Sequence, residues 1–360
     1  MPSDTLPKTD LLSLFPEELE EILQNAGEPK YRSGQIFPQL HRGLAPEEMT
    51  NIGKATREVL AEAAPYRPLT IARKLVSALD GTVKYLFSLY DGECVESVVM
   101  RYEHGLTICI SSQVGCRMGC KFCASTLGGK VRDLSAGELL GQVVTAQRDL
   151  GERISNIVLM GIGEPLDNYD QVVRFIRLVS HPDGLQIGCR HISLSTCGLA
   201  DRIDRLAKEG LPITLSISLH APDDEIRDSL MPVNRRFPIR VLLESCNRYF
   251  RETGRRISFE YTLIAGKNDS EEVALKLASV LNRNLRSETE TMPIHVNLIP
   301  VNAVQETGFS RSGQSEVQRF AKTLEKHGIR ATVRRTLGAD INASCGQLRR
   351  AHLSQEDPAP

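Results

Sequence analysis

The stretch Cys116-Arg-Met-Gly-Cys120-Lys-Phe-Cys123 puts three thiols at a CxxxCxxC spacing directly after an apolar run at 106–111. Closely spaced thiolates hold iron well, and the lack of a fourth protein ligand leaves one iron of a four-iron cluster open to a substrate. A structural zinc site wants four ligands in two pairs, and no Cys or His lies close downstream to form the second pair. Inert core cysteines are a poorer account still, because Arg117 and Lys121 stand between the thiols. An open iron means chemistry.

Outward from these thiols, strand-like runs near 106–111, 154–160, 190–195, 212–219, 256–264 and 294–300 alternate with helical spacing. The helices expected near 135–150, 200–210, 238–254 and 312–328 carry end signals: a Ser135…Glu138 capping box, and Gly210, Gly254 and Gly328 at their last turns. Parallel strands must be covered by helical crossovers, and six such units curve into an incomplete barrel. The fold class expected is α/β, a partial (β/α)6 barrel with a small N-terminal helical accessory domain. A site in such a fold lies at the carboxyl ends of the strands, where the thiols fall. The organisation expected is a helical module over 1–70, a β-hairpin extension over 71–105 with its turn at Asp91-Gly92, a core over 106–350 and a disordered tail over 351–360.

The 360 residues carry a net charge of −1 and are 41% apolar, enough for a large core. Global charge does not announce a nucleic-acid binder, although basic pairs recur at Arg235-Arg236, Arg255-Arg256, Arg334-Arg335 and Arg349-Arg350 for folding to gather onto one face. No apolar run approaches the roughly 18–20 residues of a membrane span, and Met1-Pro2-Ser3-Asp4 does not open a signal peptide. Nine cysteines without a disulfide rhythm fit a reducing compartment. A cytoplasmic monomer with no membrane contact is the expectation.

In its CxxxCxxC, and in Gly161-Ile-Gly-Glu-Pro165 after the second barrel strand, the chain resembles the radical S-adenosylmethionine superfamily, whose GEP motif has this form. Within it, the sequence resembles the RlmN family, adenine-C2 methyltransferases of 23S rRNA and tRNA. The likeness is carried by Cys109-Ile-Ser-Ser-Gln-Val-Gly-Cys116, Met160-Gly-Ile-Gly-Glu-Pro165, Leu194-Ser-Thr-Cys-Gly198, Ser218-Leu-His-Ala-Pro222, Asn297-Leu-Ile-Pro-Val-Asn302 and Asp340-Ile-Asn-Ala-Ser-Cys-Gly-Gln-Leu348. The resemblance implies a [4Fe-4S] cluster on Cys116, Cys120 and Cys123, with the open iron chelated by S-adenosylmethionine. It implies further contacts to that cofactor from Gly163, Glu164, Ser195, Ser218, Leu219, His220 and Asn302. It makes Cys345 the methyl carrier, Cys109 the partner that later forms a disulfide with it, and Glu96 the proton acceptor. Seen alone, Ser195 and Asn302 would be loop caps and Glu96 an ordinary strand glutamate. Cys94, Cys189, Cys197 and Cys246 suit the usual role of cysteine as a small buried hydrophobe.

Carbon 2 of adenine is electron-poor and carries no acidic proton, so plain nucleophilic attack on the methyl of S-adenosylmethionine is not open to it. The mechanism that the resemblance implies begins with displacement of that methyl onto the Cys345 thiolate. A second S-adenosylmethionine is cleaved to a 5′-deoxyadenosyl radical, which removes a hydrogen from the S-methyl group, and the methylene radical adds to the base. The covalent adduct loses a proton to Glu96 or Cys109 and is released when Cys109 attacks the sulfur of Cys345. The partners implied are 23S rRNA, tRNA and an electron donor such as flavodoxin or ferredoxin. Where the family commonly has Asp-Ile-Asp-Ala-Ala-Cys, this chain has Asp340-Ile-Asn342-Ala-Ser344-Cys345, which removes a charge near the thiol. The alternatives are the same chemistry at carbon 8, as in the related Cfr enzymes, and a non-enzymatic iron–sulfur RNA sensor. A sensor needs neither the S-adenosylmethionine motifs nor the extra cysteine pair.

Overall fold

The computed structural model describes residues 9–286, 292–301, 308–343 and 348–349. The six expected barrel strands are present as β4 (Gly105–Cys109), β7 (Ile154–Leu159), β8 (Ile192–Thr196), β9 (Thr214–Ser218), β10 (Ile257–Leu263) and β11 (Ile294–Pro300), in that order and all parallel. Every residue of β10 is buried, as a central strand with helices on its outer face requires. The crossovers are α4 (Ala136–Leu150), α5 (Tyr169–Val179), α6 (Ala200–Ala207), α7 and α8 (Asp224–Leu230, Ile239–Thr253) and α9 (Glu271–Leu285), followed by α10 (Gln314–Lys326). The capping box closes as expected: Glu138 N–H donates to Ser135 Oγ at 3.1 Å, and Ser135 N–H to Glu138 Oε2 at 2.9 Å.

Two features enlarge the expected sheet. A seventh parallel strand, β12 (Arg330–Val333), pairs with β11; it is four residues long and mostly exposed, so its apolar pattern is faint. The 70–103 region forms three antiparallel strands, β1 (Thr70–Val76), β2 (Val83–Ser88) and β3 (Cys94–Tyr102). The β2–β3 hairpin turns through Asp91-Gly92 with Gly92 at φ +86°, and β3 pairs antiparallel with β4. All ten strands thus make one sheet. A separate two-stranded ribbon, β5 (Gln113–Gly115) and β6 (Lys130–Asp133), brackets the cysteine loop.

The N-terminal helices are α1 (Pro16–Asn25), α2 (Arg32–Leu40) and α3 (Lys54–Ala63). The sequence hides α2, because Gly34 and Pro38 lie inside it; burial of Ile36, Phe37 and Leu40 overrides that weak propensity. The turn Leu11–Ser13 ahead of α1 packs on α4 and α5, and the three helices share one apolar core with the barrel. Gly137 N–H in the first turn of α4 donates to Ser13 Oγ at 2.7 Å, and Arg174 on α5 pairs with Glu18. No helix among the described residues is long and apolar enough to cross a membrane.

Candidate active site

The ribbon throws the cysteine loop across the carboxyl ends of the barrel strands. Cys116 N–H donates to Gly129 O at 2.9 Å and Lys121 N–H to Leu230 O at 2.9 Å. Thr126 Oγ1 donates to the Cys123 carbonyl at 2.9 Å, which folds the loop back on itself. Cys116, Cys120 and Cys123 line one cleft of about 220 Å³. Burial, with the charges of Glu164, Cys123 and Asp167 beside it, pushes the Cys116 thiol up to about 12. Burial, with the charges of Cys123, Cys116 and Glu164 beside it, raises Cys120 as well. Thiols so reluctant to ionise become thiolates when a multiply charged cation replaces their protons, so the donor set fits an iron cluster with three protein ligands.

Opposite the thiols, the turn after β7 approaches the turn after β4 so closely that only glycine fits. A Cβ at Gly161 would meet the Ile110 carbonyl oxygen at 2.5 Å, and one at Gly163, at φ +111°, would meet Gln113 and Ser112 atoms at 2.7 Å. Gln113 Oε1 accepts the Glu164 N–H at 2.9 Å, while its amide group donates to Asp133 at 2.8 Å and Asp167 at 2.9 Å. Glu164 is buried and lines the cleft. Its two oxygens accept the Leu166 N–H at 3.0 Å and the Cys197 N–H at 2.7 Å, and burial raises its pKa. The carboxylate therefore ties the β7 turn to the β8 turn.

Ser195 and Ser218 also line the cleft, with their hydroxyls 3.4 Å apart. His220 has φ +57°, and its Nδ1 accepts the Thr262 N–H at 2.8 Å. Burial, and then the nearby Arg227 charge, lower its pKa to about 3, so the ring is neutral and its remaining proton sits on Nε2. Phe122 of the cysteine loop meets this ring edge-on at 4.9 Å. Leu219 is buried and is not among the cleft-lining residues; its N–H donates to Glu260 O. Asn302 and Cys345 lie outside the described residues.

Cys109, at the end of β4, lines a second cavity of about 240 Å³ with Val98, Met100 and Ala343. Met160, Ile299 and Arg334 line both cavities, which therefore adjoin. Glu96 lies on β3 but borders neither; it is buried and paired with Lys84. No disulfide joins two of the described cysteines. Cys94, Cys197 and Cys246 are buried and Cys189 is half-buried, but Cys197 also lines the thiol cleft.

Residue-by-residue reading overlooks three cleft-region groups besides Gln113. Arg227 is fully buried and donates to the carbonyls of Cys197, Ser218, Leu219 and Phe237 and to Asn234 Oδ1. It fixes the turns after β8 and β9, yet in sequence it is one charge in a charged helix. Asp167 joins Arg117 and Lys130 at the cleft rim. Glu260 is a buried carboxylate that accepts from Asn297 at 2.8 Å, and burial raises its pKa. A glutamate inside the apolar strand 257–263 is a signal that could have found it.

Comparison with known proteins agrees with this geometry. The radical SAM superfamily model matches residues 110–278, and the model of the ribosomal RNA large subunit methyltransferase N-terminal domain matches residues 9–65. A relative from Alkaliphilus oremlandii, named a probable dual-specificity RNA methyltransferase RlmN, is 53% identical over 97% of this chain and 99% of its own. One of the same name from Pelotomaculum thermopropionicum is 52% identical over 92% of this chain and 89% of its own. The crystal structure of a radical SAM methyltransferase from Sphaerobacter thermophilus superposes with a TM-score of 0.88 at 44% identity, covering 94% of this chain and 98% of that one. With the partial barrel, the thiol loop and the N-terminal module matched together, the chain belongs to the RlmN family of radical SAM enzymes.

Proposed function

We propose that this enzyme methylates carbon 2 of adenosine in 23S rRNA and in tRNA, with Cys345 as methyl carrier, Cys109 as the thiol that releases the product and Glu96 as proton acceptor. The observation that carries the reading is the adjacency of two cavities, one lined by the three loop thiols and the other by Cys109, with Met160, Ile299 and Arg334 common to both. The relatives' names, dual-specificity RNA methyltransferases, support RNA as substrate.

Cys116, Cys120 and Cys123 would hold a [4Fe-4S] cluster, and Gly163, Glu164, Ser195, Ser218, Leu219, His220 and Asn302 would surround S-adenosylmethionine. Together these groups supply a methyl cation equivalent and, with an external electron donor, one-electron chemistry. The protein's part is positional and protonic. The neutral His220 ring has only its Nε2–H left to offer a ligand, and Glu164 holds two strand-end turns in register. The thiolate of Cys345 accepts the methyl group by displacement and presents it to the base. Glu96 takes the proton that carbon 2 gives up as the adduct returns one electron to the one-electron carrier; the Cys109 thiolate then attacks the Cys345 sulfur, the sulfur–methylene bond breaks, the carbon leaves with the bonding pair and takes up a proton as the new methyl group, and the disulfide that remains is reopened by cytoplasmic reductants. The base reaches the cleft by leaving its stack.

The two cysteines act on opposite sides of the covalent intermediate, so their variants fail differently. Cys345→Ala should form neither methylated protein nor a protein–RNA adduct, whereas Cys109→Ala should accumulate the adduct, visible on a denaturing gel. Mass analysis of digested RNA should give 2-methyladenosine together with 5′-deoxyadenosine from the cofactor. Methylation by Cys345→Ala, normal turnover by Cys109→Ala, or 8-methyladenosine as product would overturn the proposal.

A further inference from the structure

Lys84 and Glu96 form an ion pair at 3.1 Å with their side chains 1% and 0% exposed. They stand diagonally on neighbouring strands, since Lys84 faces Val98 and Leu86 faces Glu96 in the β2–β3 register. Their neighbours Tyr85, Leu86, Val95 and Val98 are buried apolar residues, and the sheet itself has no need of a charged pair there. Apolar residues of similar volume are often as stabilising as a buried pair. The value of this one lies in what else it holds.

Both members reach the C-terminal chain. Lys84 Nζ donates to the Asn342 carbonyl at 2.9 Å, and Glu96 Oε1 accepts the Arg349 N–H at 2.6 Å. One buried pair therefore grips the chain on either side of residues 344–347. Outer contacts follow the same path: Asp340 accepts from Ser77 Oγ at 2.7 Å and from Ala78 N–H at 2.9 Å. The Arg349 guanidinium donates to the Cys94 carbonyl at 2.9 Å and pairs with Glu93. Ala343 packs beside Cys109 and Val98.

We infer that Lys84 is a positioning residue of the methyl-transfer reaction, its ammonium setting both the Glu96 carboxylate and the chain that flanks Cys345. The inference rests on the proposed roles of Glu96 and Cys345. A carboxylate that must meet a proton on a bound base needs a fixed direction, and so does a thiol that must meet both cofactor and base. The buried ammonium gives both one reference point. Arginine has the charge but a longer, planar head, so it restores the function in part.

The test uses the full-length, cluster-loaded enzyme. Lys84→Met should speed amide exchange across 338–343 and at Arg349 by at least about tenfold, with β8, β9 and β10 unchanged. It should lower kcat by at least about a hundredfold while KM for the RNA holds, and Lys84→Arg should recover about a tenth of the activity. Wild-type exchange at 338–349, or wild-type kcat, in Lys84→Met overturns the inference, as does an exchange increase spread over the whole barrel. If the methionine variant does not fold, Lys84→Gln keeps a donor for Asn342 but no charge for Glu96; it should then retain the exchange protection at 338–343, lose it at Arg349 and lose kcat, and full kcat overturns the inference. Glu96→Gln with full turnover removes the proton-acceptor role, and this is told apart because the exchange rates at 338–349 do not depend on turnover.

Discussion

Gly163 has backbone and side-chain atoms of the β4–β5 turn 2.7 Å from where a Cβ would stand, at a φ of +111°. The obstacles are Gln113 Cβ, Gln113 N and Ser112 Oγ; the serine hydroxyl can rotate away, but the two Gln113 atoms are fixed to the backbone. Gly163→Ala should therefore lower folding stability by about 1–3 kcal/mol and weaken S-adenosylmethionine binding by about tenfold or more. Denaturant unfolding and calorimetric titration check the two effects, and a variant with wild-type values for both contradicts the close fit. The loop thiols make a second residue-scale prediction. Ala at Cys116, Cys120 or Cys123 should cut iron from about four per chain to almost none, because each supplies one of the three thiolates of the loop. Stoichiometric zinc without a brown chromophore in the unaltered protein would end the iron reading.

At the scale of elements, the joint between the N-terminal helices and α4 contains a buried acid. Asp10 accepts the Leu12 N–H at 2.8 Å through Oδ1, and its Oδ2 is buried with no partner among the described residues. Burial, with the Glu138 charge nearby, raises its pKa to about 7. The folded protein therefore holds this proton more tightly than the unfolded chain does. Its stabilising share is complete below about pH 4 and is lost as pH rises to about 7, at a limiting slope of about 1.4 kcal/mol per pH unit. Urea unfolding of cluster-free protein at pH 5, 6 and 7 should show a slope that Asp10→Asn flattens; equal slopes would refute the assignment. Asp10 also shows the limits of the sequence, where it is merely a polar residue before Leu11-Leu12. The barrel strands, the α4 cap and the thiol loop are legible because each rests on local spacing, period or side-chain chemistry. Helix α2 is not, because only tertiary burial of Phe37 and its neighbours outweighs Gly34 and Pro38. Arg227 and Gln113 escape for a related reason: their partners lie across turns that the fold brings together from distant sequence.

At the scale of the whole molecule, a net charge of −1 leaves RNA binding to the placement of charge rather than to its sum. The basic pairs do not share one use. Arg236 is paired with Asp201, and Arg349 with Glu93. Arg334 and Arg335 both line the Cys109 cavity, and Arg334 lines the thiol cleft as well. A phosphate flanking an inserted base would meet the positive charge of Arg334 and Arg335 at the site. Each phosphate contact releases counterions from the RNA, so affinity for an RNA fragment should fall linearly on logarithmic axes as salt rises. The slope should be shallow, because few arginines face the cleft. Arg335→Gln should weaken binding across RNA sequences and reduce the slope by about one, whereas Arg236→Gln, which lines neither cavity, should leave it unchanged. Arg335 rather than Arg334 is the residue to replace, since Arg334 also faces the buried Glu260 and its loss would disturb the cleft wall. Affinity independent of salt, or an equal loss of slope from both variants, would place the RNA contact somewhere other than the mouth of the Cys109 cavity.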